Sequence, residues 1–282
     1  MQLLKDNSIM KSKNIKAVIF SLIMLIGISI SAQETVKVPL TDPSKPGFLK
    51  VKILNGGIRV KGSNTKEVIV KAILRSEKRR YGKRRKSNKK LEGLKRISNE
   101  GLDFSVKEFN NAIDIDSDRN GITDFEIEIP KNFSLKLSTY NSGEIYVENV
   151  NGHMDISNAN GKITLKDISG AVIADALNRD ITVNFKKVDP GIPMAFSSLN
   201  GDIDITFPKA MKADVKIKSE RGEIYTDFDL KMKPAKSNFT KSENRDNGYR
   251  LKVEKWITGA INGGGQEIVF KNYNGDVIIR SN

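Results

Sequence analysis

A short unit returns from near the start of this chain to its last residues: a glycine, one polar residue, then two apolar residues separated by one. It first reads Asn55-Gly56-Gly57-Ile58-Arg59-Val60. It comes back at Gly143 (Glu144-Ile145-Tyr146-Val147), Gly152 (His153-Met154-Asp155-Ile156) and Gly161 (Lys162-Ile163-Thr164-Leu165), and again at Gly201, Gly222 and Gly275. Five turn positions, Gly143, Gly152, Gly161, Gly170 and Arg179, stand nine residues apart. One copy cannot bury its own apolar face, so repetition of a strand-sized unit demands stacking. A hairpin meander could share the spacing. Every copy has the same orientation, however, which predicts strands that wind one way with about 18–20 residues in a two-strand rung.

The expectation is therefore an all-β, single-domain, parallel β-helix-like solenoid over residues 33–282, punctuated by Asn-Gly corners. Asn and Gly suit corners because both tolerate the left-handed backbone region. Counting from each glycine, positions +2 and +4 should point inward: Ile145 and Val147, Met154 and Ile156, Ile163 and Leu165, Ile181 and Val183, Ile203 and Ile205. Stacked about 4.8 Å apart, they would form ladders in which each buried aliphatic contributes roughly 1.5–3 kcal/mol. Positions +1 and +3 should face water, with Glu144, His153, Lys162, Asp180 and Asp202 in one column and Tyr146, Asp155, Thr164, Thr182 and Asp204 in the other. A longer echo suggests a duplicated plan. Pro130-Lys131, Leu135-Lys136-Leu137 and Gly143-Glu144-Ile145-Tyr146 reappear as Pro208-Lys209, Ala213-Asp214-Val215 and Gly222-Glu223-Ile224-Tyr225.

Residues 1–32 do not fit the repeat. Lys11, Lys13 and Lys16 precede an apolar stretch from Ala17 to Ile28 that ends in small residues, the pattern of a secretory signal peptide. The stretch is shorter than the roughly 20 residues of a spanning helix. The mature chain is thus expected to be exported, without a transmembrane helix, to the periplasm, the cell surface or the medium. The chain has no cysteine, which excludes disulfides, thiolate catalysis and Cys-bound zinc. Its net charge of +14 is concentrated: residues 75–96 hold twelve Lys or Arg against Glu77 and Glu92. A second polar insert, 229–250, interrupts the repeats before Trp256, which is expected to plug a gap as the chain closes the stack.

The runs Asn141 to Ile145, Gly161 to Leu165, Ser197 to Ile205, Ile261 to Gly265 and Asn274 to Val277 resemble the bacterial β-strand-repeat envelope proteins grouped as domain of unknown function 4097 and named for an expected role in adhesion. The resemblance spans Phe48 to the end. It implies an exported solenoid and carries over no catalytic residue, because the shared positions are turn and core positions.

Three candidate sites follow from the residues. Lys78, Arg79, Arg80, Lys83, Arg84, Arg85, Lys86, Lys89 and Lys90 are too mutually repulsive to pack. They suit anionic polysaccharide, lipid headgroups or an envelope protein. The simpler reading is a solvated excursion with no partner. Only Tyr81 interleaves an aromatic ring, so no specific nucleic-acid recognition is expected. Asp116, Asp118, Asn120 and Asp124 follow the first nine positions of a calcium loop, but Ile127 stands where the closing acidic residue belongs. An Asn-Gly hairpin turn explains the same residues. Asp155, Asp180, Asp202 and Asp204 could line a groove, as carboxylates do in polysaccharide-cleaving enzymes. Nothing in their spacing pairs two of them, and His153, the sole histidine, stands at an outward position. A non-enzymatic binding protein without a cofactor is the leading reading, with a carbohydrate-active enzyme or a periplasmic scaffold or sensor partner as alternatives.

Overall fold

Strict alternation of buried and exposed residues sets the architecture. The computed structural model describes residues 33–75, 102–117, 121–233, 238–243, 249–254 and 256–282. Residues 1–32, where a signal peptide is expected, and all of the basic segment after Arg75 lie outside the described residues. In chain order the strands begin β1 (Gln33–Pro39), β2 (Gly47–Asn55), β3 (Ile58–Ser63), β4 (Glu67–Arg75), β5 (Phe104–Phe109), β6 (Ala112–Ser117) and β7 (Ile122–Pro130). There follow β8 (Phe133–Asn141), β9 (Ile145–Glu148), β10 (Asn151–Asn158), β11 (Ile163–Ala176), β12 (Ile181–Val188), β13 (Met194–Asn200) and β14 (Ile203–Phe207). The last are β15 (Ala213–Ser219), β16 (Ile224–Thr226), β17 (Leu230–Met232), β18 (Asn238–Glu243), β19 (Tyr249–Glu254), β20 (Ile257–Ile261), β21 (Gln266–Asn274) and β22 (Val277–Ser281). The polar insert thus contains β17 and β18 and reaches into β19, and β18 pairs with β19 in a sheet of their own.

The other strands form one solenoid-like sheet of twenty strands, folded into two facing rows. The first row runs β5-β6-β2-β8-β10-β11-β13-β21-β15-β20-β17. The second runs β1-β4-β7-β3-β9-β11-β12-β14-β22-β16. Pairing is parallel throughout the middle of each row. β11 serves both rows, turning the corner between Leu165 and Ser169, where its register with β12 shifts.

The inward positions are as the repeat predicts. Ile58, Ile145, Ile163, Ile181, Ile203 and Val277 stand in consecutive register on the second row, and each is buried. Val60, Val147, Leu165, Val183, Ile205 and Ile279 form the parallel ladder beside them. In the C-terminal half the core turns aromatic. Phe185 stacks on Phe207 at 5.1 Å and Phe196 on Phe270 at 5.4 Å, with Phe196 edge-on to Phe207. Such offset contacts add about 0.5–1.5 kcal/mol beyond the area they bury.

The structure corrects the sequence reading in four respects. The outward columns divide by row: His153 and Asp155 lie on β10 in the first row, whereas Glu144, Lys162, Asp180 and Asp202 flank strands of the second. The reason is that alternate turns of the nine-residue spacing are opposite corners of one 18-residue rung. Second, β6 and β7 do not form a hairpin, because β6 pairs with β2 and β5 while β7 pairs with β3 and β4. Third, Trp256 is only partly buried, so it does not plug the core. Closure at that end comes from β20, which runs antiparallel against β15, and β17 against β20.

Finally, winding is not sequential. The rung β2–β3 sits between β6–β7 and β8–β9, and the rung β21–β22 sits between β13–β14 and β15–β16. At each end the chain leaves a rung's width open and fills it with a segment distant in sequence. Antiparallel β5, β4 with β1, and β20 with β17 then cover three row ends, protecting backbone groups that would otherwise template aggregation. The fourth end is β16, only three residues long.

One polar clasp secures the N-terminal end. Glu108 accepts hydrogen bonds from Thr41 N, Thr41 Oγ1 and Asn111 N, and Asn111 Nδ2 donates to Asp42 O at 2.6 Å. The Ser44 hydroxyl, then Lys45, lower the Asp42 pKa from 3.8 to about 2, and the Asn111 N–H is the first cause of a lowered Glu108 pKa. Folded-state values depressed in this way add stability that is complete above the unfolded pKa and is lost as pH falls through the folded one. The melting temperature should therefore drop between about pH 4 and pH 2 more steeply in the native chain than in Asp42→Asn/Glu108→Gln. Parallel pH profiles for the two would show that the clasp contributes nothing.

Candidate functional site

Corners without side chains create a recess on the surface. Gly57, Gly143 and Gly161 stack on successive rungs of the second row and form the floor of a trough of about 690 Å³. Gly143 and Gly161 are not there for their backbone angle, since neither has positive φ. A Cβ on Gly143 would stand 2.1 Å from the Gly56 carbonyl, and one on Gly161 1.8 Å from the Gly143 carbonyl. Ser142, with φ of 63°, takes the left-handed conformation instead. Gly56, at φ +128°, does use the freedom that the sequence reading assigned to all of them.

Charged side chains form the walls. Arg75, at the end of β4, donates from Nε to Asp124 Oδ2 at 2.9 Å, pairs again with Asp124 Oδ1, and donates from Nη1 to Ser142 O at 2.7 Å. Asp124 Oδ1 also accepts from Gly57 N at 2.7 Å. Arg59 on β3 lies over the ring of Tyr146 on β9, 4.5 Å from its centroid, a contact worth about 0.5–1 kcal/mol at an exposed site. Glu126 pairs with Lys71 at 2.9 Å and Lys162 with Asp180 at 3.1 Å. Among the described residues, Arg59, Arg179 and Glu144 have no ion-pair partner.

Beside the trough runs a ladder that the Asn-Gly pattern foreshadows only as turn chemistry. Asn160 Nδ2 donates to Asn141 Oδ1 at 3.1 Å, Asn178 to Asn160 at 2.9 Å, Asn200 to Asn178 at 2.9 Å and Asn274 to Asn200 at 2.8 Å. Next to it the corner exposes an apolar ridge of Leu54, Tyr140, Leu177, Leu199 and Tyr273. A carboxylate clasp crosses the rungs as well. Asp180 Oδ1 accepts from Asp202 N, Asp202 Oδ1 from Asp276 N and Asp276 Oδ1 from Glu223 N, at 3.2, 2.8 and 2.9 Å. These ladders were legible only once the register was known.

The sequence-predicted residues are placed as follows. Asp116 ends in the first row and Asp124 in the second, where the Arg75 guanidinium takes its carboxylate, while Asp118 and Asn120 lie outside the described residues. Among the described residues no three His, Cys, Asp or Glu side chains converge as a metal site. Lys78, Arg79, Arg80, Lys83, Arg84, Arg85, Lys86, Lys89 and Lys90 also lie outside the described residues. Of the four candidate carboxylates of the enzyme reading, Asp180, Asp202 and Asp204 lie on neighbouring rungs of the second row, and Asp155 is set apart on the first. Asp155 pairs with Lys136 at 2.6 Å on the first row, whereas Asp204 is held by Arg280 Nε and Nη2 at 2.9 and 3.1 Å on the second. Asp204 raises the Arg280 pKa, as Glu148 does that of Lys166. His153 is exposed, with Nε2 3.5 Å from Asp189 Oδ2. Among the described residues no helix is long and apolar enough to cross a membrane.

Twenty strands in two parallel-cored rows, with ladders on the corners and a charged trough, define an all-β solenoid-like protein. The Toastrack DUF4097 family model matches residues 9–255, and the chain belongs to that family. A "putative cell adhesion protein" from Clostridium sporogenes ATCC 15579 is similar over 89% of this chain and 100% of its own, at 10% identity and a TM-score of 0.44. A "putative adhesin" from Bacteroides fragilis NCTC 9343 is similar over 89% of this chain and 97% of its own, at 10% identity and a TM-score of 0.36. No curated protein matches the chain.

Proposed function

We propose that this chain is an exported, non-enzymatic envelope protein of the adhesion or surface-interaction type, which holds anionic surfaces or glycans through one face of its stack and through the basic segment 75–96. We read the stack as a parallel β-helix whose winding is interrupted at both ends, a scaffold stiff enough to present side chains at fixed intervals. The observation that carries the proposal is the trough: a side-chain-free floor whose walls carry Arg59, Arg75, Lys162 and Arg179 among the carboxylates Asp124, Glu126 and Glu144, with Arg75 the residue from which the basic segment departs. Concentrated positive charge beside a fixed recess raises the local concentration of anions and speeds their capture. Export rests on the leader-like residues 1–32.

Deleting residues 78–90 should leave the melting temperature unchanged and move elution from an anionic resin to lower salt, because exposed charge acts over only about 10 Å at 0.1 M ionic strength. Elution at the same salt as the intact chain would remove the segment from the mechanism.

A further inference from the structure

Resting on that reading, we propose that the trough is a binding site for an acidic polysaccharide, a linear chain of sugars bearing carboxylates, which lies across the rungs of the second row. The trough draws its lining from six neighbouring strands or the corners leading into them: β4, β7, β3, β9, β11 and β12. At about 4.8 Å per rung it is roughly 24 Å long. That shape suits a linear polymer; the plane of a bilayer would not reach the glycine floor.

Which groups are free decides the chemistry. Asp124 is satisfied by Arg75 and Gly57 N, Glu126 by Lys71, and Lys162 has Asp180. Two guanidiniums and one carboxylate are left without ion-pair partners among the described residues. Arg59 is held in place by the Tyr146 ring beneath it, and Arg179 stands three rungs further along, past β9 and β11. Guanidinium groups take carboxylates with two parallel hydrogen bonds, so each can hold one acidic sugar. Glu144, at the corner leading into β9 between them, is acceptor-only when ionised. It repels a phosphate or carboxylate but accepts from sugar hydroxyls. Anion sites flanking a hydroxyl-accepting site fit a polyol carrying spaced carboxylates better than a phosphate backbone or a lipid headgroup layer.

The test uses the full mature chain and titrates polygalacturonate oligosaccharides, their methyl esters, and phosphatidylglycerol vesicles. Tighter binding of the polygalacturonate than of either other probe is expected. Arg59→Ala/Arg179→Ala should weaken it about tenfold or more, the loss of two charged hydrogen-bonding groups, at an unchanged melting temperature. Lys136→Ala, on the opposite row, should bind as the native chain does. If the double variant loses stability as well, Arg59→Gln/Arg179→Gln, which keeps much of the packing, must show the same loss. Equal binding by either double variant and the native chain overturns the site, as does equal affinity for the methyl esters or binding to vesicles in place of the sugar. The chain lacking residues 78–90 separates the two claims. If it alone loses polygalacturonate, the trough assignment fails and the broader reading stands; if the native chain binds no acidic probe, both fail.

Discussion

Gly161→Ala should lower the melting temperature by about 10 °C, corresponding to roughly 3 kcal/mol in a chain of this size. The new methyl would lie 1.8 Å from the Gly143 carbonyl oxygen and 2.7 Å from its carbon. Both are backbone atoms on the neighbouring rung, so no rotamer change can relieve the contact. Nor can the rungs part. Ile145 N donates to Lys162 O at 2.9 Å and Ile163 N to Asp180 O at 3.0 Å, which locks the corner from both sides. Asn158 adds a further tie, accepting from Gly161 N at 2.9 Å and donating to Gly143 O at 3.1 Å. Gly191→Ala is the matching control. It has φ +79° and no atom within 4 Å of the added methyl, so it should cost only the 1–2 kcal/mol, roughly, of a left-handed backbone. Thermal melts of the two variants that coincide would show that close approach is not what demands glycine at the corner.

Ile163→Asp should be the more damaging change, costing at least about 4 kcal/mol and leaving little soluble protein. Ile163 is fully buried in register between Ile145 and Ile181. A carboxylate there would have aliphatic neighbours on both rungs and across the core, with no donor to compensate its lost hydration. One residue later the same charge should be tolerated. Thr164 stands between Tyr146 and Thr182 on the outer face, and Thr164→Asp should stay within about 0.5 kcal/mol of the native chain. Urea unfolding midpoints measure both. A midpoint for Ile163→Asp close to that of Thr164→Asp would mean that the inward ladder is not the source of the stack's stability.

The alternation from Ile145 to Leu165 was readable because side-chain direction along a strand depends only on neighbours in sequence. The glycines were readable as corners for the same reason. Their cause was not: crowding at Gly161 comes from Gly143, on another rung, and no local rule contains that contact. The charged trough was hidden likewise. Arg59, Arg75, Glu144 and Arg179 are far apart in the chain and meet only because β3, β4, β9 and β12 lie in one row. The echo of Pro130-Lys131 in Pro208-Lys209 was visible as repetition, and the structure supplies its meaning. Both connections vault one rung, from β7 to β8 over β2–β3 and from β14 to β15 over β21–β22.

Period-two patterning and the spacing of turn residues are local properties, and they were enough to establish strands, corners, inward ladders and an 18-residue rung. Order along the stack is different in kind. Every rung offers its neighbours nearly the same apolar ladder and the same open backbone, so local chemistry does not say which rung lies against which. That choice is made by the antiparallel end strands, the skipped rungs and the fit of Phe185, Phe207, Phe196 and Phe270, contacts between segments far apart in the chain that exist only once the whole has folded.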